Sequence, residues 1–485
     1  MSNIIEKFQN QNILLNHNAY RFIKDESYAD TIVDELIEYM ESDKEDNYIV
    51  TLEMINNYLN FEKKRILETI VENPETKKIR KNMNMPYEIK MDITNQSYTN
   101  GDIHDLSEYF NNRYEKLRSI LEKKPELRNP MEMKITKSKV DNIRLIGIVD
   151  SIQNTKNGHK MIEIEDPTGE GKILIHKDQE DLLNKCKNIV KDEIVGITGN
   201  CNGNLVIADD IIQPGIPRNP EKEMDFSIVF LSDVHIGSKM FDEKAFNHFI
   251  KWINGNFGNE KQTDLANDVK YLVIGGDLVD GIGIYPNQEK ELAIPDIYLQ
   301  YEEAARLIGD ITDIPIIIAP GNHDATRLAE PQPAITEQYA MDLNKQRNVE
   351  MVSNPSIVTL DNINVEIYHG RSFDDIIMAM NGLDHSNTDI IMKELMEKRH
   401  LAPIYGERTA LASEFEDYLV IDEVPDVLHT GHVHINSYIK YKGVHLVNSG
   451  TFQRQTEFQK IYNITPTYGH VPVLSRGKMK EMIFT

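Results

Sequence analysis

Five times between residues 227 and 434 the chain ends an apolar run on a carboxylate, an imidazole or an amide. The segments read Asp233-Val-His235, Gly276-Asp277, Gly321-Asn322-His323-Asp324, His369-Gly370 and Gly431-His432-Val433-His434. The runs before them, SIVFLS, YLVIGG, IPIIIAP, NVEIY and DVLHT, are short, apolar and rich in β-branched residues, as buried strands are. With GVHLVNSG they alternate with helical or irregular stretches from Met224 onward. That order predicts an α/β layered domain whose polar residues meet where loops converge at strand ends.

Asp, His and Asn are hard or borderline ligands for divalent cations, and a pair of such ions needs one carboxylate that touches both. Asp233 and His235 lie two apart, so an extended segment would turn both to the same side. Asp277 follows Gly275 and Gly276, which leave room for close approach, and is the expected bridge. Asn322 adds a neutral oxygen, and His369, His432 and His434 complete the ligand set. His323 is then a spare imidazole, free to neutralise or protonate a leaving oxygen. Asp280, three residues past the bridge, is expected to orient that His323 imidazole by hydrogen bonding. Each motif alone has an ordinary reading as a turn or a hydrogen-bonded histidine. Five in succession predict a two-metal site for phosphoester chemistry, with Mn the best-suited ion and Fe, Zn or Ni allowed.

A chain of 485 residues is too long for one core. Residues 1–72 show helical spacing at Ile32-Val33, Leu36-Ile37 and Met40, and read as a docking module. Residues 73–105 shift to Asn, Lys, Thr and Pro, the composition of a flexible linker. Residues 106–220 hold a leading helix and then five short strands with a helix before the fourth. This is the order of an OB-fold barrel, or of another small barrel or meander. No Phe, Tyr or Trp lies between Val140 and Ile212, so the aromatic platform on which such barrels stack bases is missing, and a scaffold or partner-binding role is expected. Residues 221–485 form the layered domain. The first residues lack the basic start and apolar core of a signal peptide and no run is long enough to span a membrane, so a cytoplasmic location without membrane attachment is expected. Cys186 and Cys201 are expected to be free thiols. A net charge of −25 should repel DNA or RNA at long range. Either the substrate is small, or a more basic partner holds the nucleic acid.

The motif series resembles that of the calcineurin-like metallophosphoesterases. The resemblance implies a four-layer αββα domain with Asp233, His235, Asp277 and His434 on one ion and Asp277, Asn322, His369 and His432 on the other. Protein phosphatases of that superfamily continue the second motif with Asp-Arg-Gly. Here Asp280-Gly281 follows Val279 and no arginine is present, which argues against that activity. The order of helical module, linker, OB fold and phosphoesterase is similar to that of the small subunits of archaeal D-family DNA polymerases, relatives of the eukaryotic B-subunits. LSDVHIGS, IGGDLVDG, PGNHDATR, YHGRSFDD, RHLAPIYGERT and HTGHVHIN carry the likeness. Every ligand is present, so the resemblance implies a 3′–5′ exonuclease that proofreads DNA 3′ ends for a large polymerase subunit, in a heterodimer or higher assembly. A sliding clamp is a further candidate partner. Arg371, His400, Arg408 and Arg454 are candidates for contacting the strand's phosphates, with plain surface charges as the other reading. The competing readings are a phosphomonoesterase or cyclic-nucleotide phosphodiesterase on the same site, and a non-catalytic scaffold.

Overall fold

The structure, a computed structural model, describes residues 14–15, 49–50, 87–97, 101, 103–312, 314–461 and 463–485. The chain divides into two units, Met1–Asn84 and Met85–Thr485. In the first, β1 (Leu14–Leu15) and β2 (Ile49–Val50) pair in parallel. The helical module expected over 1–72 otherwise lies outside the described residues.

The second unit opens with β3 (Tyr87–Met91) and helix α1 (Ile103–Leu121). A closed five-stranded barrel follows, built from β4 (Lys139–Asn154), β5 (Lys160–Asp166), β6 (Gly169–Ile175), β7 (Ile194–Asn202) and β8 (Val206–Ile212) in the order β4-β5-β6-β8-β7. Helix α2 (Glu180–Lys185) precedes the fourth strand, where the sequence places it. The barrel's core is aliphatic, with Leu145, Val149, Ile162, Ile173, Val195 and Ile197 fully buried. Cys186 and Cys201 are free and buried.

Beyond the barrel the chain runs through β9 (Ser227–Leu231), α3 (Glu243–Ile253), α4 (Glu260–Asn267), β10 (Val269–Gly275), α5 (Ile297–Gly309) and β11 (Ile316–Ala319). Next come α6 (Met341–Asn344), β12 (Val349–Met351), β13 (Ser356–Leu360), β14 (Ile363–Ile367), α7 (Phe373–Ala379) and α8 (Thr388–Lys398). The last elements are β15 (Val427–Thr430), β16 (Ser437–Tyr441), β17 (Val444–Asn448), α9 (Glu457–Ile461), β18 (His470–Ser475) and β19 (Lys478–Ile483). Two six-stranded sheets result, ordered β12-β11-β10-β9-β18-β19 and β16-β17-β15-β14-β13-β3.

Successive side chains on a strand face opposite ways, so a strand buried on both faces must be apolar throughout. Ile228, Phe230, Tyr271, Val273 and Ile317 of the first sheet share one core with Val358, Val365, Ile367, Val427 and Val447 of the second. The alternate residues Val229, Leu231, Leu272, Ile274 and Ile318 pack with Phe246, Phe249, Trp252 and Tyr301 of α3 and α5. On the second sheet's other face, Leu428 and Leu446 meet Ile391, Met392 and Leu395 of α8. Each sheet is therefore covered on both sides, which accounts for the unbroken apolar runs in the sequence.

Residues 87–97 correct the linker expected over 73–105. Tyr87–Met91 pairs antiparallel with β13 and forms the edge of the second sheet. Its Tyr-x-Ile-x-Met alternation spans only five residues, too short to stand out among polar neighbours. Helix α1 likewise does more than lead into the barrel. Its Tyr114, Leu117 and Leu121 pack with barrel residues Ile146 and Ile194 and with Val420 of the layered domain. Among the described residues, no helix is long and apolar enough to cross a membrane.

Candidate metal centre

Strands β9, β10 and β11 run parallel, as do β14, β15 and β17, so their C-terminal ends come out on one side of each sheet. Ligands that follow these ends meet in the crevice between the sheets, where such folds place their sites. Asp233 and His235 follow β9, Asp277 follows β10, Asn322 follows β11, His369 follows β14, and His432 and His434 follow β15. Of these, Asp233, His235, Asp277, His369 and His434 come together in buried groups able to hold a metal ion.

One group is Asp233, His235 and His434, all buried. The Nε2 atoms of His235 and His434 face each other at 3.0 Å, and Asp233 Oδ1 stands 3.4 Å from His434 Nε2 and 4.0 Å from His235 Nε2. Two more groups are His235, Asp277 and His323, and Asp233, Asp277 and His369. His369 Nε2 lies 3.2 Å from Asp277 Oδ2 and 3.1 Å from Asn322 Oδ1, while its Nδ1 lies 2.9 Å from the Gly275 carbonyl. A carbonyl only accepts, so Nδ1 carries a proton, and Nε2 is the nitrogen that faces the two oxygens and would turn to an ion once its own proton is lost. Asp277 Oδ2 is also 3.9 Å from His235 Nε2, so one carboxylate reaches toward both His235 and His369, as a bridge must. Imidazole nitrogens and carboxylate oxygens gathered in this way fit the binding of a divalent cation. His432 stands farther off, its ring edge-on to that of His369 at 5.3 Å between centroids.

The extended geometry expected for Asp233 and His235 is corrected by the backbone. Asp233, His235, Asp277, His432 and His434 all have left-handed φ, between 51° and 71°. An L-residue adopts this region at a cost of about 1–2 kcal/mol, and such strain concentrates at functional sites. The conformation is held from outside: Asp233 N–H donates to the Gly276 carbonyl at 2.9 Å and His235 N–H to the Asp277 carbonyl at 3.1 Å, zipping two ligand loops together. At Gly276, φ +98, an added Cβ would stand 2.5 Å from His369 Nδ1, and at Gly321 it would stand 2.2 Å from Asp277 Oδ1. Both glycines are there for close approach.

Asp280 meets His323 through its backbone carbonyl and not its carboxylate, which turns to His235 instead: Oδ1 lies 3.0 Å from His235 Nδ1 and accepts from the Gln453 amide at 3.0 Å. His323 donates its backbone N–H to Asp277 Oδ1 at 2.8 Å, and its Nδ1 lies 2.7 Å from the Asp280 carbonyl. That contact fixes the Nδ1–H form, so any proton His323 exchanges passes through Nε2. Three supporting residues carried no role in the sequence reading. Asp324, the last residue of its motif, accepts from the backbone of Gly321, Leu278 and Val279 and ties the second and third ligand loops together. Gln459 donates to His434 Nδ1 at 2.9 Å, and Gln288 donates to the Asp280 carbonyl at 2.8 Å.

Burial alone would raise the carboxyl of Asp277, but the imidazoles of His369, His323 and His235 hold it well below the usual range. Burial works against a charge on His369, yet Asp277 and Asp233 raise it to about 10. Before an ion binds, a proton on His369 thus stands in the place of a cation.

Among the arginines, Arg371 donates to the Leu328 carbonyl at 3.3 Å, and Arg408 Nη1 stands 3.8 Å from Asp374 Oδ2. Arg454 pairs with Asp242, the cap of α3, at 2.9 Å. His400 is the exception. It is 1% exposed, its Nε2 lies 2.9 Å from Asp417 Oδ2, and it bridges to Val420 in the interior, out of reach of a strand's phosphates. Burial and the nearby Arg113 charge push its pKa down from 6.5 to about 4. A histidine kept neutral in the fold favours the unfolded chain once that chain can protonate. Its contribution is present above pH 6.5 and lost as pH falls from 6.5 toward 4, about 3 kcal/mol in all. Urea unfolding across that window should show this loss in the native chain and a flatter profile in His400→Asn; equal slopes in both would refute it.

The family model for the B-subunit of DNA polymerases alpha and epsilon matches residues 228–440, a span that begins in β9, ends in β16 and contains every residue expected as a ligand, from Asp233 to His434. Over 492 residues the chain is 54% identical to the DNA polymerase II small subunit of Methanothermobacter thermautotrophicus, covering 100% of both chains. It is 43% identical over 415 residues to the DNA polymerase II small subunit of Archaeoglobus fulgidus, covering 84% of this chain and 83% of that one. The chain belongs to the archaeal DNA polymerase II small subunit family. A solved archaeal phosphodiesterase aligns with 53% of this small subunit and 99% of its own chain at 14% identity, with a TM-score of 0.24, a likeness too slight to build on.

Proposed function

We propose that this small subunit is a calcineurin-like phosphoesterase that removes nucleotides from DNA 3′ ends, proofreading for a large polymerase subunit with which it assembles. The observation that supports the reading is the gathering of Asp233, His235, Asp277, His369 and His434 into adjoining buried groups, with Asn322 against His369. Asp233, His235, Asp277 and His434 would hold one divalent ion and Asp277, Asn322, His369 and His432 the other, with Mn the best match to the donor set. Bound there, divalent ions would supply Lewis-acid polarisation of a phosphodiester and a lowered pKa for the attacking water. The protein's own part is positioning. Asp277 is fixed by the His323 backbone, Asn322 and His369 are set side by side, and His323 Nε2 is the free imidazole nitrogen beside them for proton exchange with a leaving 3′ oxygen. The barrel fits an OB fold by strand order and closure, and its aliphatic make-up supports a role in binding protein, not bases. At a net charge of −25 the chain depends on a basic partner to bring DNA.

The test is Mn-dependent degradation of a 3′-labelled single strand and a mismatched primer, with and without the large subunit. Stepwise loss from the 3′ end is expected, reduced at least about 100-fold in His432→Ala, since a lost metal ligand removes a transition-state contact. His323→Ala should keep both ions and lose about 10²- to 10⁴-fold in turnover. Equal activity in wild type and His432→Ala, or hydrolysis of small chromogenic diesters only, would overturn the assignment.

A further inference from the structure

Asp374 is the second residue of α7, five positions after His369. Its carboxylate lies among three groups that can carry positive charge. Oδ2 stands 3.7 Å from His432 Nε2 and 3.8 Å from Arg408 Nη1, and Oδ1 lies 3.3 Å from His385 Nε2. On its other side the His432 ring abuts His369. The two nitrogens of an imidazole divide their work according to what each faces. With Nε2 turned to a carboxylate, only Nδ1 remains for the centre that His369, Asn322 and Asp277 form.

We propose that Asp374 is the positioning residue of the second ion: it holds His432 with Nε2–H toward the carboxylate and the Nδ1 lone pair toward the ion. A histidine ligand with its far nitrogen on a carboxylate is both oriented and made more basic. The first ion has its counterpart in the Asp280 contact to His235 Nδ1. The two supports differ in setting. Asp280 is fully buried and clasped by Gln288 and Gln453, whereas the Asp374 side chain is 23% exposed and is shared with His385 and Arg408, both of which reach solvent. The second ion is accordingly the more loosely held, and its binding responds to changes at Asp374 that leave the first untouched.

The inference rests on the two-ion reading of the site, and the experiment separates the two. Mn²⁺ is titrated into metal-free full-length wild type, Asp374→Asn, Asp374→Ala and Asp374→Glu, followed by calorimetry and by the exchange-coupled EPR signal of a manganese pair. Wild type should take up two ions. In Asp374→Asn and Asp374→Ala the second ion should bind about 10- to 100-fold more weakly, with the first within twofold of wild type and the coupled signal absent at two equivalents. Asp374→Glu should restore part of the signal, because it returns the charge. Uptake of a single ion by wild type would overturn the two-ion reading itself. Two ions in wild type with unchanged second-ion affinity in both the Asn and Ala variants would overturn only the role of Asp374. Equal weakening of both ions would do the same, since it would mark a residue that supports the fold at large.

Discussion

Under the proposed function, Asp277→Asn is expected to lower 3′-end degradation by at least about 10³-fold and to reduce the ions taken up from two to at most one. The substitution keeps the side chain's shape and removes a charge that faces both His235 and His369. It also removes the main source of attraction for a proton on His369, whose pKa that carboxylate raises to about 10. For His369 to accept a cation at neutral pH it must give up this proton. Metal affinity in wild type should therefore fall about tenfold for each unit that pH drops below 10, for one displaced proton. In Asp277→Asn the remaining site should show a shallower dependence, because His369 no longer starts protonated. Calorimetric Mn²⁺ titration between pH 6 and 8.5, beside the exonuclease assay, measures both. A variant that kept two ions and the wild-type pH slope would show that Asp277 is not the bridge.

What could be read from the sequence follows from which interactions are local. The five strand-end motifs were legible because a strand buried on both faces leaves an unbroken apolar run, and the first polar residue after it marks where the strand emerges. The close approach that Asp277 makes to other loops was legible from its two glycine neighbours. How the ligands turn inward was not. Two-residue spacing suggested an extended segment, whereas Asp233, His235, His432 and His434 reach the centre through left-handed backbone held by hydrogen bonds from loops distant in sequence. Asp280 met the same limit: expected to turn to His323, its carboxylate faces His235 instead. His400 looked like a surface cation in a charged stretch, and its burial became apparent only with its pairing to Asp417 and Val420. Asp374 could have been suspected as a carboxylate soon after a ligand histidine, but its partners His385, Arg408 and His432 come from three separate segments.

Arg113→Ala should destabilise Met85–Thr485 by about 3–5 kcal/mol, the usual consequence of removing one member of a buried ion pair. Arg113 sits on α1 and is fully buried, with Nε 2.7 Å from Asp417 Oδ2, Nη1 on the Pro403 carbonyl at 2.8 Å and Nη2 on the Tyr109 hydroxyl at 3.0 Å. Burial opposes the charge on Asp417, yet His400 and Arg113 hold its carboxyl far below the usual range. Without the guanidinium, Asp417 keeps its desolvation and loses its one permanent cation. His400 should then gain a proton more readily, because the nearby positive charge that helped depress it is gone while its carboxylate partner remains. The variant should accordingly be less stable at pH 7.5 and lose less on acidification from pH 6.5 to 4 than wild type does. The pair Arg113→Met with Asp417→Leu, which removes both charges and fills the space, should recover most of the loss, since a desolvated ion pair and an apolar contact of similar volume are often near parity. Urea unfolding of wild type, the single variant and the double variant at both pH values decides it. A single-variant loss below about 1 kcal/mol would mean that the apolar contacts of Tyr114, Leu117 and Leu121, and not this ion pair, hold α1 between the barrel and the layered domain.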